Sequence, residues 1–96
     1  MKIYNVFKRT TNETTDAIAI VGSFGKEADA IEAVKEEAFV SNGEYIDSHD
    51  EVELNQYHFD DNNNGYAKIW REDEEDEIEI KIVPVNLDES TLVTLF

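Results

Sequence analysis

The chain contains no cysteine, one proline, four glycines and only eight Lys and Arg residues. Each scarcity excludes something. Without cysteine there are no disulfides, thiolate metal sites or cysteine nucleophiles. Four glycines leave no glycine-rich phosphate loop. The longest apolar run is Ala17 to Val21, far short of the roughly 20 residues that span a bilayer. The N-terminus, Met1-Lys2-Ile3-Tyr4-Asn5-Val6, has no apolar signal core. A cytoplasmic location is therefore expected, with no membrane partner. The shortage of cations stands against 23 Asp and Glu, for a formal net charge of -15. Such a surface repels nucleic acid and anionic lipid, so direct nucleic-acid binding is not expected and a partner with a basic surface is.

What is present is enough to fold. The 96 residues are 41% hydrophobic and include ten aromatics (five Phe, four Tyr, one Trp). That is too apolar for a disordered acidic tail, and the length suits a single domain, residues 1–96, with one modest core.

Along the chain, Ile3, Tyr4, Val6 and Phe7 predict a strand with apolar residues on both faces, from partial cover of both or from a bulge. Ala17 to Phe24 predicts a second strand, with Ile18, Ile20 and Phe24 on one face and Gly22 marking a bulge or a close backbone approach. A helix follows, with Ser23 as N-cap, a core stripe of Ala28, Ile31, Val34 and Ala38, and Glu32, Glu36 and Glu37 toward water. Asn42-Gly43 predicts its end, with Gly43 as a left-handed C′ residue, which makes a helix of about 16 residues. Glu44 to Glu51 reads as an acidic irregular stretch anchored by Tyr45 and Ile46. Val52 to Phe59 predicts a third strand, with a bulge near Asn55 or Gln56. Tyr66 to Arg71 and Ile78 to Val83 predict the last two, the second with Ile78, Ile80 and Ile82 toward the core. Pro84 lacks a ladder donor, so pairing there is edge-like or ends. The tail from Leu87 to Phe96 is apolar and is expected to dock as a short strand or helical turn.

The order β-β-α-β-β-β predicts an α+β fold: a single antiparallel sheet with one helix packed on one face. The helix leaves part of the sheet uncovered. That part is expected to be solvated, closed by curvature, or buried in a homodimer, through the sheet face or the C-terminal tail.

Several motifs invite a chemical reading. Asp60-Asp61-Asn62-Asn63-Asn64-Gly65 matches the first half of a calcium loop, but Lys68 and Arg71 occupy later ligand positions, Arg71 where a bidentate Glu is required. A hairpin turn with positive φ at Asn64-Gly65 is the simpler account. Ser48-His49-Asp50 has the residue types of a hydrolase triad, but three adjacent residues cannot converge on one point. His58 has no second histidine at metal-ligand spacing. Paired carboxylates abound by composition alone. No enzyme activity and no cofactor or metal is expected.

The most distinctive run is Glu72-Asp73-Glu74-Glu75-Asp76-Glu77. Neighbouring like charges cost about 1 kcal/mol per pair even in water. One account is a solvated hairpin tip that keeps the sheet edge soluble. The other is a docking surface for Lys or Arg of a protein partner, with Trp70 and Tyr66 as apolar anchors. A sharper alternative is mimicry. The helix acids (Glu27, Asp29, Glu32, Glu36, Glu37), the loop acids (Glu44, Asp47, Asp50, Glu51) and the 72–77 run would then imitate the phosphates of a duplex, which carries one charge per about 1.7 Å. Such a protein, from a phage or mobile element, would inhibit a DNA-binding enzyme.

Lys2-Ile3-Tyr4, Val21-Gly22-Ser23-Phe24 and Lys26-Glu27-Ala28-Asp29-Ala30 carry a resemblance. Over about the first 40 residues the chain resembles a family of small uncharacterised domains of bacteria and their phages, which begin with a Lys-x-Tyr strand, a strand ending Gly-x-Phe or Gly-x-Tyr, and a Glu/Ala-rich helix. The resemblance implies a helix on an antiparallel sheet and no particular activity or site residue.

Overall fold

A computed structural model describes residues 2–54, 56–62, 64–71 and 76–86. The elements are β1 (Lys2–Thr11), β2 (Asp16–Phe24), α1 (Glu27–Ser48), a single helical turn α2 (Glu51–Leu54), β3 (Tyr57–Asp61), β4 (Tyr66–Arg71) and β5 (Glu77–Asn86). The five strands form one sheet in the order β2-β1-β5-β4-β3. All four neighbouring pairs are antiparallel. The fold is α+β, as the sequence predicts.

Residues directly opposite in an antiparallel pair share a face, so the register assigns every side chain to a side. Val6 lies opposite Ile82, Lys8 opposite Ile80, Ala67 opposite Ile80 and Ile69 opposite Ile78. These residues face α1. Val6, Ala30, Val34, Ala38, Ala67 and Ile80 form the buried core, and Ile78 and Ile82 pack against it. The predicted inward set of Ile78, Ile80 and Ile82 is thus found. Three of the six core residues are alanines, and short side chains on both layers let the helix lie close to the sheet.

The helix departs from expectation in three ways. It starts one turn later: Lys26 is the N-cap and makes no side-chain cap bond, while Ser23 belongs to β2 and donates to Asn5 Oδ1 at 2.6 Å. Its buried stripe is Ala30, Val34, Ala38, Ser41 and Tyr45, so Ala28 is exposed and Ile31 is half-buried. And it runs through Gly43 for 22 residues to Ser48. A mid-helix Gly costs about 1 kcal/mol relative to Ala. Packing of the next turn offsets it: Tyr45 is buried and its ring lies 4.0 Å from that of His49 and 5.0 Å from that of Tyr57. Ile46, expected as a second anchor, faces solvent. Val52 to Leu54 form a helical turn rather than strand, so no bulge near residue 56 is needed, and β3 starts at Tyr57.

The bulge lies in β2. The β1–β2 register shifts between Val6 and Phe7, pairing Val6 with Gly22 and Phe7 with Ile20. Val21 is the extra residue. The shift separates residues the alternation alone would place together: Phe24 lies opposite Tyr4 on the helix side, whereas Ile18 and Ile20 lie opposite Arg9 and Phe7 on the open face. Pro84 sits in the central strand, opposite Tyr4. The N–H of Ile82 points toward β4, donating to Gly65 O. Two residues on, Pro84 nitrogen points the same way, past the last β4 pair at Tyr66–Lys81, where the ladder with β4 has ended.

Candidate interaction surfaces

The 72–77 run joins β4 to β5. Both are interior strands, so the strands that the run links are not the edges of the sheet. Arg71 N–H donates to Asp76 O across the connection at 3.3 Å. Glu72, Asp73, Glu74 and Glu75 lie outside the described residues. The two described acids of the run part company. Asp76 accepts from Arg71 Nη2 at 3.2 Å, on the helix side. Glu77 pairs with Lys68 Nζ at 3.2 Å, on the open face.

Tyr66, Lys68 and Trp70 alternate with Ala67 and Ile69 and therefore stand on the open face. The Trp70 ring stacks on His58, directly opposite, with centroids 5.1 Å apart. Lys68 Nζ lies 5.2 Å from the Trp70 ring. Tyr66 Oη donates to Glu79 Oε2 at 2.8 Å. The two proposed anchors are thus brought to one face with Glu77 and Glu79, already engaged with their neighbours.

Burial first, then the hydrogen bond to Glu79 and the charges of Glu79, Glu77 and Asp60, push the Tyr66 hydroxyl up to about 12. A phenol favoured in its neutral form stabilises the fold fully below the ordinary tyrosine value near 10, and the contribution is lost as pH rises through about 12. Tyrosinate absorbance during alkaline titration should contain a late phase that disappears in Tyr66→Phe. In Glu79→Gln that phase should move to lower pH. An unchanged late phase in Tyr66→Phe would place it on another tyrosine.

Elsewhere on the open face, Arg9 grips Asp16 with a fork of two bonds, Nε to Oδ1 at 2.9 Å and Nη2 to Oδ2 at 2.8 Å. The guanidinium holds the Asp16 carboxyl below the usual carboxylate range. On the helix side, Lys8 Nζ meets Glu37 Oε1 at 3.0 Å, both half-buried. Glu37 therefore turns to the sheet and not to water. Lys68 and Arg71 are likewise tied to acids within the fold.

The outer side of α1 is different. Asp29, Glu32, Glu36 and Asp47 are all exposed there, with Glu27 exposed at the first turn and Glu44 on the flank. Among them Phe39 is 78% exposed and Val40 49%. Glu32, Lys35, Glu36, Phe39 and Val40 line one shallow groove along the helix. This apolar break in the acidic face is not found by the stripe read from the sequence. Its signal was the triplet Ala38-Phe39-Val40, of which only one residue fits inward in any helical phase.

The motifs that suggested chemistry resolve into local structure. Asn62 N–H donates to Tyr66 O at 3.3 Å and Asn64 N–H to Asn62 Oδ1 at 2.9 Å, while Gly65 takes φ of 93°. That is a hairpin turn between β3 and β4. Among the described residues, no three His, Asp or Glu side chains are grouped to hold a metal ion. Ser48 Oγ lies 2.9 Å from His49 Nδ1, and His49 Nε2 lies 3.8 Å from Asp76 Oδ2. The serine hydroxyl, however, donates to Tyr45 O at 3.0 Å, and His49 Nδ1 also lies 2.8 Å from that carbonyl. Ser48 and His49 cap the end of α1, and the Asp76 carboxylate is too far from the imidazole to orient it as a base.

Among the described residues no helix is long and apolar enough to cross a membrane. Compared with known proteins, the chain matches no family model, no curated protein and no solved structure.

Proposed function

We propose that this chain is a non-enzymatic interaction module that binds a protein partner with a basic surface. One observation carries the proposal: exposed Glu32 and Glu36 line one groove along α1 with Phe39, 78% exposed. Acids steer a cationic partner and set its orientation. An exposed aromatic supplies the desolvated anchor from which most binding energy comes. The 72–77 run, with Trp70 opposite Glu77 and Tyr66 further along β4, is a second acidic element of the same proposal.

The same acids support a second reading, a phage or mobile-element mimic of nucleic acid that inhibits a DNA-binding enzyme. The 22 residues of α1 climb about 33 Å, a useful length for imitating a backbone. Phe39 and Val40 interrupt the acidic row, and Glu77 and Glu79 stand on the opposite side of the sheet. Both features weigh toward a protein surface with an apolar anchor.

The test uses two variants of the full chain. One carries Glu32→Gln, Glu36→Gln and Phe39→Ser; the other replaces residues 72–77 with Ser and Asn. Glu32, Glu36 and Phe39 are exposed, and such substitutions change stability by about 0.5 kcal/mol or less each, so the first variant should keep its melting temperature. The second loses the Asp76–Arg71 and Glu77–Lys68 pairs, and its affinity is measured below its own melting temperature. Affinity for a partner captured by the wild-type chain should fall at least about tenfold in the first variant, the loss expected for one anchor of ~1.4 kcal/mol or more. Full affinity in both variants would reject the proposal. Displacement of that partner by duplex DNA would select the mimic.

A further inference from the structure

The two edges of the sheet are built differently. β3 is short, five residues from Tyr57 to Asp61, and ends in two aspartates. Short length and inward or edge charges are how proteins keep a sheet edge from pairing with other chains. β2 has nine residues, and from Ala17 to Phe24 it carries no charge and no proline. Asp16 to Val21 are all exposed, including Ala17 and Ala19 on the helix side and Ile18 and Ile20, 45% and 61% exposed, on the open face. Neither α1 nor, among the described residues, any other segment covers this half of the strand.

Backbone phase decides which groups point outward. Asn12 N–H donates to Thr15 O at 2.8 Å. Alternation from that bond directs Ala17 and Ala19 toward β1 and leaves the N–H and C=O of Ile18 and Ile20 pointing away from the sheet. The bond from Ile82 N–H to Gly65 O, carried across β5 and β1 by the register, gives the same phase independently. A ready row of donors and acceptors therefore lies between two isoleucines, bounded by the bulge at Val21.

We propose that an extended cationic segment of the partner adds to the outer edge of β2 as a further antiparallel strand. The proposal rests on the reading above that the partner is basic, and names where and how it engages. Charge selects this occupant. A second copy would bring another body of formal charge -15 against the first, whereas Lys or Arg on the incoming strand relieve that repulsion. The segment should alternate, with apolar residues on the open face beside Ile18 and Ile20 and cations on the side of α1, where Glu27 and Asp29 are exposed. Main-chain bonds then supply affinity and alternate side chains supply specificity.

The probe is a capped peptide of four Lys-Val repeats, with a control N-methylated at alternate residues so that its charge is kept and its ladder is lost. Hydrogen exchange resolved by residue should slow at least tenfold at the Ile18 and Ile20 amides when the first peptide binds. The control should bind at least tenfold more weakly. Ile18→Pro, which removes an outward donor and no bond to β1, should do the same to the unmodified peptide. Equal binding of both peptides without protection at Ile18 and Ile20 would overturn the edge proposal and leave the acidic-surface reading standing. No binding of either peptide would count against both. Two results with no peptide present would also overturn it: a dimer in sedimentation with these amides protected, or protection lost on deleting residues 87–96.

Discussion

Replacing Ile80 with Ala should lower stability by about 3 kcal/mol, within the roughly 2–5 kcal/mol range for such truncations. For a domain of this size that corresponds to a fall in melting temperature of about 12–24 °C. Ile80 is 1% exposed and sits in the central strand, opposite Lys8 on one side and Ala67 on the other. Across the layer it belongs to the cluster with Ala30, Val34 and Ala38. Alanine side chains cannot extend to fill the space a shortened neighbour leaves, so most of the cavity should persist, and the cost should stay above the bottom of the range. Ile20→Ala is the matched control: the same chemical change at a residue 61% exposed should stay within about 0.5 kcal/mol. Chemical denaturation of the two variants measures the contrast. Similar costs at both sites would mean that the open face is covered in solution.

That pair also marks how far the sequence could be read. The strict alternation Ile78-Glu79-Ile80-Lys81-Ile82 announces a strand with one apolar face, and its inner side follows. Ala17 to Phe24 is apolar at nearly every position, so alternation assigns no inward face, and the bulge beside Gly22 then splits Ile18 and Ile20 from Phe24. Gly22 signalled the irregularity but not which residues it would turn. In α1 the stripe is right at Val34 and Ala38 and misses Ala30, because the helix packs on the sheet largely through alanines. A hydrophobicity pattern ranks Ala28 equal to Ala30, whereas the packing buries Ala30 and Ser41 and leaves Ala28 outside. For the acidic surface, the excess of acids was plain from composition. Which acids are occupied was not, because the pairs Lys8–Glu37 and Arg9–Asp16 depend on strand and helix placement that no local pattern encodes.

The two Asn-Gly dipeptides make the sharpest case, because identical local sequence meets opposite fates. Asn64-Gly65 lies in the β3–β4 turn. Gly65 has φ of 93°, and a Cβ built there would run into Ile82 Cδ1. Gly65→Ala should therefore destabilise twice, through a left-handed backbone and through overpacking, by about 2–4 kcal/mol together. Shortening the neighbour separates the two costs: from the Ile82→Ala background, Gly65→Ala should cost less than from wild type, with the backbone share remaining. Asn42-Gly43 lies inside α1, where nothing stands within 4 Å of the missing Cβ. Gly43→Ala should stabilise the protein by about 0.5–1 kcal/mol, the propensity difference in a helix interior. A turn-forming reading of Asn42-Gly43 predicts the reverse sign, so thermal melts of Gly43→Ala and Gly65→Ala decide whether α1 continues through Gly43 in solution. If both variants lose stability, the helix ends where the dipeptide suggests and Tyr45 does not hold the last turn in place. If the signs differ, packing of Tyr45 against His49 and Tyr57 outweighs the local preference for a helix stop.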